Sequence, residues 1–353
     1  MFGRRASARL AILFLYLSLS VAAGPLAAEP RPRCRGEDSL GLFHYTSQGP
    51  FQGLRQSFTP QLGRLLHKGE TEVKGNSSFS NLFARDNDFD TYLIDYETAR
   101  VALGVRYGLT DRWALRIEAD SVRRYGGELD RIVEATHDLL GVSQGGRQFL
   151  VADDVRLFVE GEPFESLSLD QGGAVGKSLG FGFENVAHCA EEGESKADVR
   201  RSPTGVPTTT WGVFFRVKDV ENIPTARWQG DDVDVSGGVQ SVWTAGRFVL
   251  TAGMSFTFFG SESLGGAELA SHQVGALGAV EWRAGPRWSV VLQYLATEAA
   301  LNRFPFDRPT NEVLLGVKTR WGPTLVEAAI VENVIVSPNG PDIGFHFGFG
   351  TRF

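Results

Sequence analysis

The last eleven residues, Ile343-Gly344-Phe345-His346-Phe347-Gly348-Phe349-Gly350-Thr351-Arg352-Phe353, put apolar or aromatic groups, with one threonine, at every odd position. Gly, His or Arg stands at every even one. A period of two places large apolar groups on one side of an extended chain and small or polar groups on the other, which suits a strand between oil and a polar interior. Transmembrane barrel strands read this way. A soluble edge strand rarely combines three phenylalanines in register with a C-terminal aromatic.

The rest of the chain fits that reading. Its 353 residues hold 42 glycines and 25 phenylalanines, yet only 42% are hydrophobic and the formal charge is -7. A Gly-rich, aromatic-rich chain that is barely hydrophobic overall is expected when one face of each strand meets lipid and the other does not. Mild acidity gives no reason to invoke nucleic acid. At the N-terminus, Arg4, Arg5 and Arg9 precede the apolar run 10–21 and the small residues Ala22, Ala23, Gly24, Ala27 and Ala28. That is the pattern of a secretory signal peptide over 1–28, with cleavage after Ala23 or Ala28, and its apolar core is short for a spanning helix. Cys34 lies among Arg31, Pro32, Arg33 and Arg35 rather than in a lipid-attachment context. Downstream, no apolar run is long enough for a membrane helix. Cys34 and Cys189 are an even pair in an exported chain, so a disulfide between them is permitted.

Alternating segments meet at short Gly-containing turns. Val101 to Tyr107 runs into 108–112, after which Trp113, Leu115, Ile117 and Ala119 alternate with Arg116, Glu118 and Asp120. Similar pairs flank 284–287 and Gly322-Pro323. Trp113, Trp282, Trp288 and Trp321 each abut a short turn, as a girdle at one membrane interface requires. With Phe353 they mark the periplasmic rim. The strand list is 69–81, 91–107, 112–124, 152–161, 208–218, 233–244, 247–260, 272–284, 287–298, 312–321, 324–334 and 342–353. The expected fold is therefore all-β, a transmembrane antiparallel barrel of about twelve strands. An even count puts both barrel ends on the periplasmic side, and the 162–208 connection with Cys189 falls there too, beside Cys34. That connection also holds Gly172-Gly173, Gly176, Leu179, Phe181 and Phe183, the material for one more strand. Residues 29–67 read as an arm beneath or inside a barrel of 68–353. Leu129, Ile132, Val133, Leu139 and Leu140 recur at helical spacing, so a short amphipathic helix is expected in a long loop, capping the outer mouth.

Inward positions include Glu72, Lys74, Arg106, Arg116, Glu118, Asp120, Arg156, Glu160, Arg216, Lys218, Asp234, Glu281, Lys318, Arg320, Glu327 and His346. Both signs occur, and the plain expectation is that they pair across a hydrated or partly plugged interior. The sharper alternative is a basic ladder of Arg116, Arg156, Arg216, Lys218, Lys318 and Arg320 that steers anionic solutes. Chemistry is poorly signalled. His137-Asp138 near Ser143, His188-Cys189 and Ser271-His272 stand in no hydrolase motif, and the Gly-x-Ser-x-Gly elbow is absent. Asp86, Asp88 and Asp90 lack the Gly and terminal Glu of a calcium loop. No cofactor or metal is expected.

Gly63-Arg64-Leu65-Leu66 through Gly69, Ser80-Asn81-Leu82-Phe83, His137-Asp138-Leu139-Leu140-Gly141 and Gly145-Gly146-Arg147 resemble an uncharacterised Gram-negative family, domain of unknown function 3187, over most of 50–353. The acidic, Cys-containing segment 185–205 departs from it and reads as an insertion. The resemblance implies an outer-membrane barrel and supplies neither substrate nor catalytic residue. The chain's ending likewise resembles the final-strand signal of Gram-negative outer-membrane barrels, which implies the barrel assembly machinery and outer-membrane lipid as partners. The leading expectation is a passive or gated pore for small hydrophilic solutes. A non-conducting structural or adhesion barrel, closed by the arm and its charges, is the alternative, and a lipid-modifying enzyme the third.

Overall fold

The computed structural model describes residues 39–55, 66–86, 91–127, 129–141, 155–159, 167–169, 172–189, 207–220, 228–230, 233–264, 267–301, 306–333 and 339–353. All belong to one compact unit, Cys34–Phe353. The expected signal peptide and Cys34 lie outside the described residues.

Twelve strands form the wall: β1 Thr71–Arg85, β2 Tyr92–Gly108, β3 Trp113–Tyr125, β4 Gly173–His188, β5 Thr208–Val220, β6 Val233–Ala245, β7 Phe248–Phe258, β8 His272–Arg283, β9 Trp288–Thr297, β10 Thr310–Trp321, β11 Thr324–Asn333 and β12 Ile343–Arg352. Each pairs antiparallel with its neighbour in sequence, and β12 pairs with β1, so the sheet closes on itself. Closure removes free edges, which a lipid-embedded sheet cannot tolerate because its unpaired backbone groups would face hydrocarbon. The even count brings the ends together: Thr71 N donates to Phe353 O at 3.1 Å and Phe353 N to Thr71 O at 3.0 Å.

Turn chemistry sets which end is which. Gly246 and Gly322 both take φ of 61°, the left-handed value that a two-residue hairpin needs at its first position and that residues with a Cβ resist. Pro323 supplies the fixed negative φ beside Gly322. These turns, with 109–112 and 284–287, gather at one end, where β4 also ends and β5 begins, while the remaining strand ends meet at the other.

Outward positions form an apolar belt. Val101, Leu103 and Val105 on β2, Leu179, Phe181 and Phe183 on β4, and Leu250, Met254, Phe256 and Phe258 on β7 are all exposed. Eleven residues of β7 extend roughly 34 Å, which at a tilt near 40° spans about 26 Å of bilayer. Trp113, Trp282, Trp288, Trp321 and Phe353 are exposed at the short-turn end, where Trp113 also meets Trp211 edge-on at 5.5 Å. Over the seam, the Phe349 ring of β12 lies against Gly75 of β1; a Cβ there would stand 2.6 Å from the ring.

Three expectations are corrected. Segment 152–161 is not a wall strand: of its described residues, Arg156–Val159 are extended and pair with the upper end of β2 at Tyr92↔Val159 to Asp95↔Arg156. The fourth wall strand is β4, from within the connection 162–208, which therefore crosses the wall and does not lie wholly at the short-turn end. The two-residue period of 152–161 is real, but it serves an outer hairpin with Leu167–Leu169. The helix, α2 Leu129–Leu140, does not cap the mouth. It docks on the outer side of the rim, where Asn81 Nδ2 donates to Asp130 Oδ1 at 2.7 Å and the Leu129 amide donates to Glu97 Oε1 at 2.6 Å. Glu97 thus satisfies a free amide at a helix N-terminus with the favoured charge sign.

Candidate functional site

The lumen is occupied by the chain's own arm. Residues 39–55, ending in the short helix α1 Pro50–Arg55, thread it from the short-turn end to the long-loop end. At the entry, Ser39 Oγ and the Leu40 amide donate to the two oxygens of Glu281 on β8, at 2.5 and 2.9 Å. Lys318 on β10 donates to the Leu42 carbonyl. Midway, His44 Nε2 sits 2.7 Å from both Glu118 Oε2 and an Arg116 nitrogen, and Tyr45 Oη donates to Glu312 at 3.1 Å. Higher, Thr98 Oγ1 donates to Gln48 Oε1 at 2.9 Å. At the top, Phe51 packs edge-on against Phe306 at 4.8 Å, and Arg55 lies over the Phe259 ring while donating to the Ala270 and Ala300 carbonyls.

The wall around the arm has two faces. Across β1 to β5 the inward positions carry a charge network. Arg106 joins Glu72 at 2.7 Å and Glu184 at 2.5 Å, Arg116 pairs with Glu118, and Asp120 is shared by Arg100 at 2.6 Å and Arg216. Lys218 holds Asp234 of β6 at 2.9 Å. Across β8 to β11 the inward positions mix polar groups with an aliphatic patch, in which Leu277, Val291, Leu295, Leu314, Ala329 and Val331 form one buried cluster with Phe43 and Tyr45. The alternation of the arm matches both faces, with Phe43 and Tyr45 turned to the aliphatic side and His44 to the charged side. Burying two such rings stabilises docking by about 1.5–3 kcal/mol each.

Between the faces, Ser78 Oγ and His346 Nδ1 stand 2.9 Å apart, His346 Nε2 lies 3.0 Å from Glu327, and Lys318 holds the other Glu327 oxygen at 2.7 Å. The arm's Phe43 and Tyr45 cover the His346 ring edge-on at 5.9 and 6.0 Å. Among the described residues no group of three or more metal-binding side chains comes together.

Of the expected lumen residues, Glu72, Arg106, Arg116, Glu118, Asp120, Arg216, Lys218, Asp234, Glu281, Lys318, Glu327 and His346 are buried on the inner face. Lys74 and Arg320 are half-buried there. Arg156 is a correction: it pairs with Asp95 on the outward side of the upper wall, while its neighbours Leu157 and Val159 turn inward. That breaks the proposed basic ladder at Arg156. Its other members are mostly paired with acids rather than stacked along a path. Glu160 lies outside the described residues. Arg100, Arg124 and Glu184 are buried lumen residues not expected from the sequence, and Gln293 and Glu312, which alternate with the outward residues of their strands, are buried there too. Register offered a signal for Arg100, which shares parity with Ala102, Gly104 and Arg106. Nothing local marks Arg55, whose place depends on the threading of the arm. Cys189 follows β4 at the short-turn end and is disulfide-bonded.

The closed wall, lipid-facing apolar belt and charged interior define a transmembrane β-barrel whose lumen is filled by an N-terminal segment. The chain belongs to the family described as a protein of unknown function, DUF3187, whose model matches residues 18–175 and 222–353. The unmatched stretch contains most of β4 and all of β5, which the closed wall nonetheless uses. No curated protein matches the chain. Among solved structures, an outer membrane channel from Pseudomonas putida F1 is similar at a TM-score of 0.48 and 14% identity, over 84% of this chain and 100% of the channel. The Pseudomonas putida toluene transporter TodX is similar at 0.35 and 11%, over 94% and 98%. The KdgM porin is similar at 0.38 and 5%, over 80% and 99%.

Proposed function

We propose that this protein is a gated channel for small hydrophilic solutes in the outer membrane of a Gram-negative bacterium, held closed by residues 39–55. The observation that carries the reading is that a separate segment, the arm, threads the lumen from one end to the other. Many inward wall positions are small, among them Gly104, Ser178, Gly180, Ser236, Gly253 and Ser255. A barrel stabilised as a solid post would fill those positions with its own bulk, as small barrels do. Here the wall leaves room for a separate segment held largely through side-chain contacts, so its departure opens a passage while every backbone hydrogen bond of the wall stays intact. In this reading the disulfide at Cys189, for which Cys34 is the other cysteine of the chain, ties the foot of the arm to the short-turn end. The terminal strand with Phe353 is the segment presented to the barrel assembly machinery.

Planar-bilayer conductance tests the proposal on the full chain and on a variant lacking 39–55, with heat-modifiable gel migration as the check that the barrel has formed. The full chain is expected to be closed with rare openings and the variant open throughout. A folded variant that carries no current overturns the channel reading in favour of the non-conducting barrel.

A further inference from the structure

Arg124 is set apart from the other buried cations of the lumen. It is 4% exposed on the inner face of β3, and its Nε and Nη1 have no hydrogen-bond partner. The neighbouring guanidinium groups of Arg100, Arg106, Arg116 and Arg216 each hold a carboxylate. Arg124 has only the Tyr96 ring, 5.7 Å from its central carbon. A buried charge left in this way is costly, and such a group is most readily understood as awaiting an anion. Its surroundings define which kind.

Directly across the ladder from Arg124 stands Thr98 of β2, whose hydroxyl is occupied by the arm's Gln48. The amide nitrogen of Gln48 has no partner of its own, so this contact is half-satisfied. Tyr96 and Val122, inward neighbours of Thr98 and Arg124, belong to an apolar cluster at the long-loop end that includes Leu157 and Phe306. Into that cluster the arm inserts Phe51. The arm thus places a neutral amide at a hydroxyl opposite a bare guanidinium, and an aromatic ring in the adjoining apolar seat.

We propose that the long-loop end holds a recognition site for an amphipathic organic anion, a carboxylate on an aryl or short alkyl body. Arg124 and Thr98 take the carboxylate. The Tyr96, Val122, Leu157 and Phe306 seat takes the body, displacing Phe51 and Gln48. A guanidinium suits a planar carboxylate through paired N–H donors. Because ligand and arm compete for one seat, binding favours the undocked arm by mass action. The inference rests on the channel reading for its consequence, opening, but not for the site itself.

The test uses the full-length protein in planar bilayers, with benzoate, acetate or benzyl alcohol added at the long-loop side. Benzoate is expected to raise open probability at roughly tenfold lower concentration than acetate, the gain from burying a ring. Benzyl alcohol lacks the charge and is expected to do little, and Arg124→Gln is expected to abolish the benzoate response while spontaneous openings persist. Openings that respond alike to benzoate and acetate, or a benzoate response retained in R124Q, overturn this inference and leave the channel standing. If no openings occur, with or without benzoate, equilibrium dialysis of labelled benzoate against the same full-length protein decides the site alone. Saturable binding lost in R124Q supports it, and absence of saturable binding overturns it.

Discussion

The side-chain amide of Gln293 on β9 holds the main chain of Phe43 at both its polar groups, accepting the Phe43 N–H at 2.9 Å and donating to the Phe43 carbonyl at 3.2 Å. The arm, which is in no sheet there, thus receives from one side chain what a neighbouring strand would give. Both partners are fully buried, so the pair has no exchange with water to soften its loss.

Gln293→Ala therefore leaves the Phe43 N–H unpaired in the middle of the lumen, while the Phe43 carbonyl keeps the Tyr45 amide at 3.0 Å. An unpaired buried group costs about 1–3 kcal/mol, and part of that is recovered by water entering the vacated space. The undocked population of the arm is expected to rise by about ten- to a hundredfold, since 1.4 kcal/mol is a factor of ten. Trypsin cleavage at Arg55, which is buried when docked, reads this out. A cleavage rate equal to that of the parent protein would show that Gln293 does not hold the arm.

The belt predicts a depth profile along one strand. Met254, 61% exposed near the middle of β7, faces the centre of the hydrocarbon, whereas Phe248 sits at its short-turn end. Met254→Arg is expected to destabilise the barrel by about 2–4 kcal/mol and Phe248→Arg by about 0–1 kcal/mol. Urea unfolding in lipid vesicles measures both. Equal costs at the two positions would contradict the placement of the membrane.

Much of this architecture was legible because strand parity is a local property. The alternation around Trp113, Trp282, Trp288 and Trp321 and the Gly-containing turns gave the count of twelve, the closing strand and the common end of β1 and β12. What failed locally was the choice between 152–161 and 173–188. Both alternate, but Gly173, Gly176, Gly180 and Gly182 dilute the apolar signal of β4, and Gly182 answers to a bulky neighbour: a Cβ there would stand 2.2 Å from the Phe214 ring. The two-faced lumen was hidden for a different reason. Inward positions of a barrel are expected to be polar, and Leu277, Leu295 and Leu314 depart from that rule because they meet Phe43 and Tyr45, some 230 to 270 residues away along the chain. No window on the sequence contains both sides of that contact.

At the seam, the ring of Phe349 covers Gly75 and shields backbone that glycine would leave bare, the arrangement by which an aromatic neighbour compensates a strand glycine. Gly75→Ala forces the ring aside and is expected to cost about 1–3 kcal/mol. In Phe349→Ala the same change at Gly75 becomes nearly neutral, because the obstructing ring is gone. A double-mutant cycle on unfolding free energy measures this coupling, and simple additivity would rule the contact out as the cause.

Arg106 is the junction of the lower charge network, with Glu72 at 2.7 Å on one side and Glu184 at 2.5 Å on the other. Glu72 is also gripped by Arg352 of β12 at 2.7 Å, so this cluster ties β4, β2, β1 and β12 together across the closing seam. Arg106→Met removes the cation that Glu72 and Glu184 share inside the wall, leaving Glu72 to Arg352 at 2.7 Å and Glu184 to the more distant Arg116 at 3.5 Å, an expected loss of about 3 kcal/mol. Arg106→Lys should restore little, because one ammonium on a flexible stem does not reproduce a guanidinium that spans two acceptors. The decisive variant is the triple replacement Glu72→Gln, Arg106→Met and Glu184→Gln, which removes both acids together with the arginine they share. It is expected to recover most of the loss, because Arg352 keeps Glu70 and Arg116 keeps Glu118 while no acid is left short of its cation. Urea midpoints of the four proteins in vesicles test this. A triple variant no more stable than Arg106→Met alone would mean that Arg106 acts through packing against the lumen wall and not through its charge.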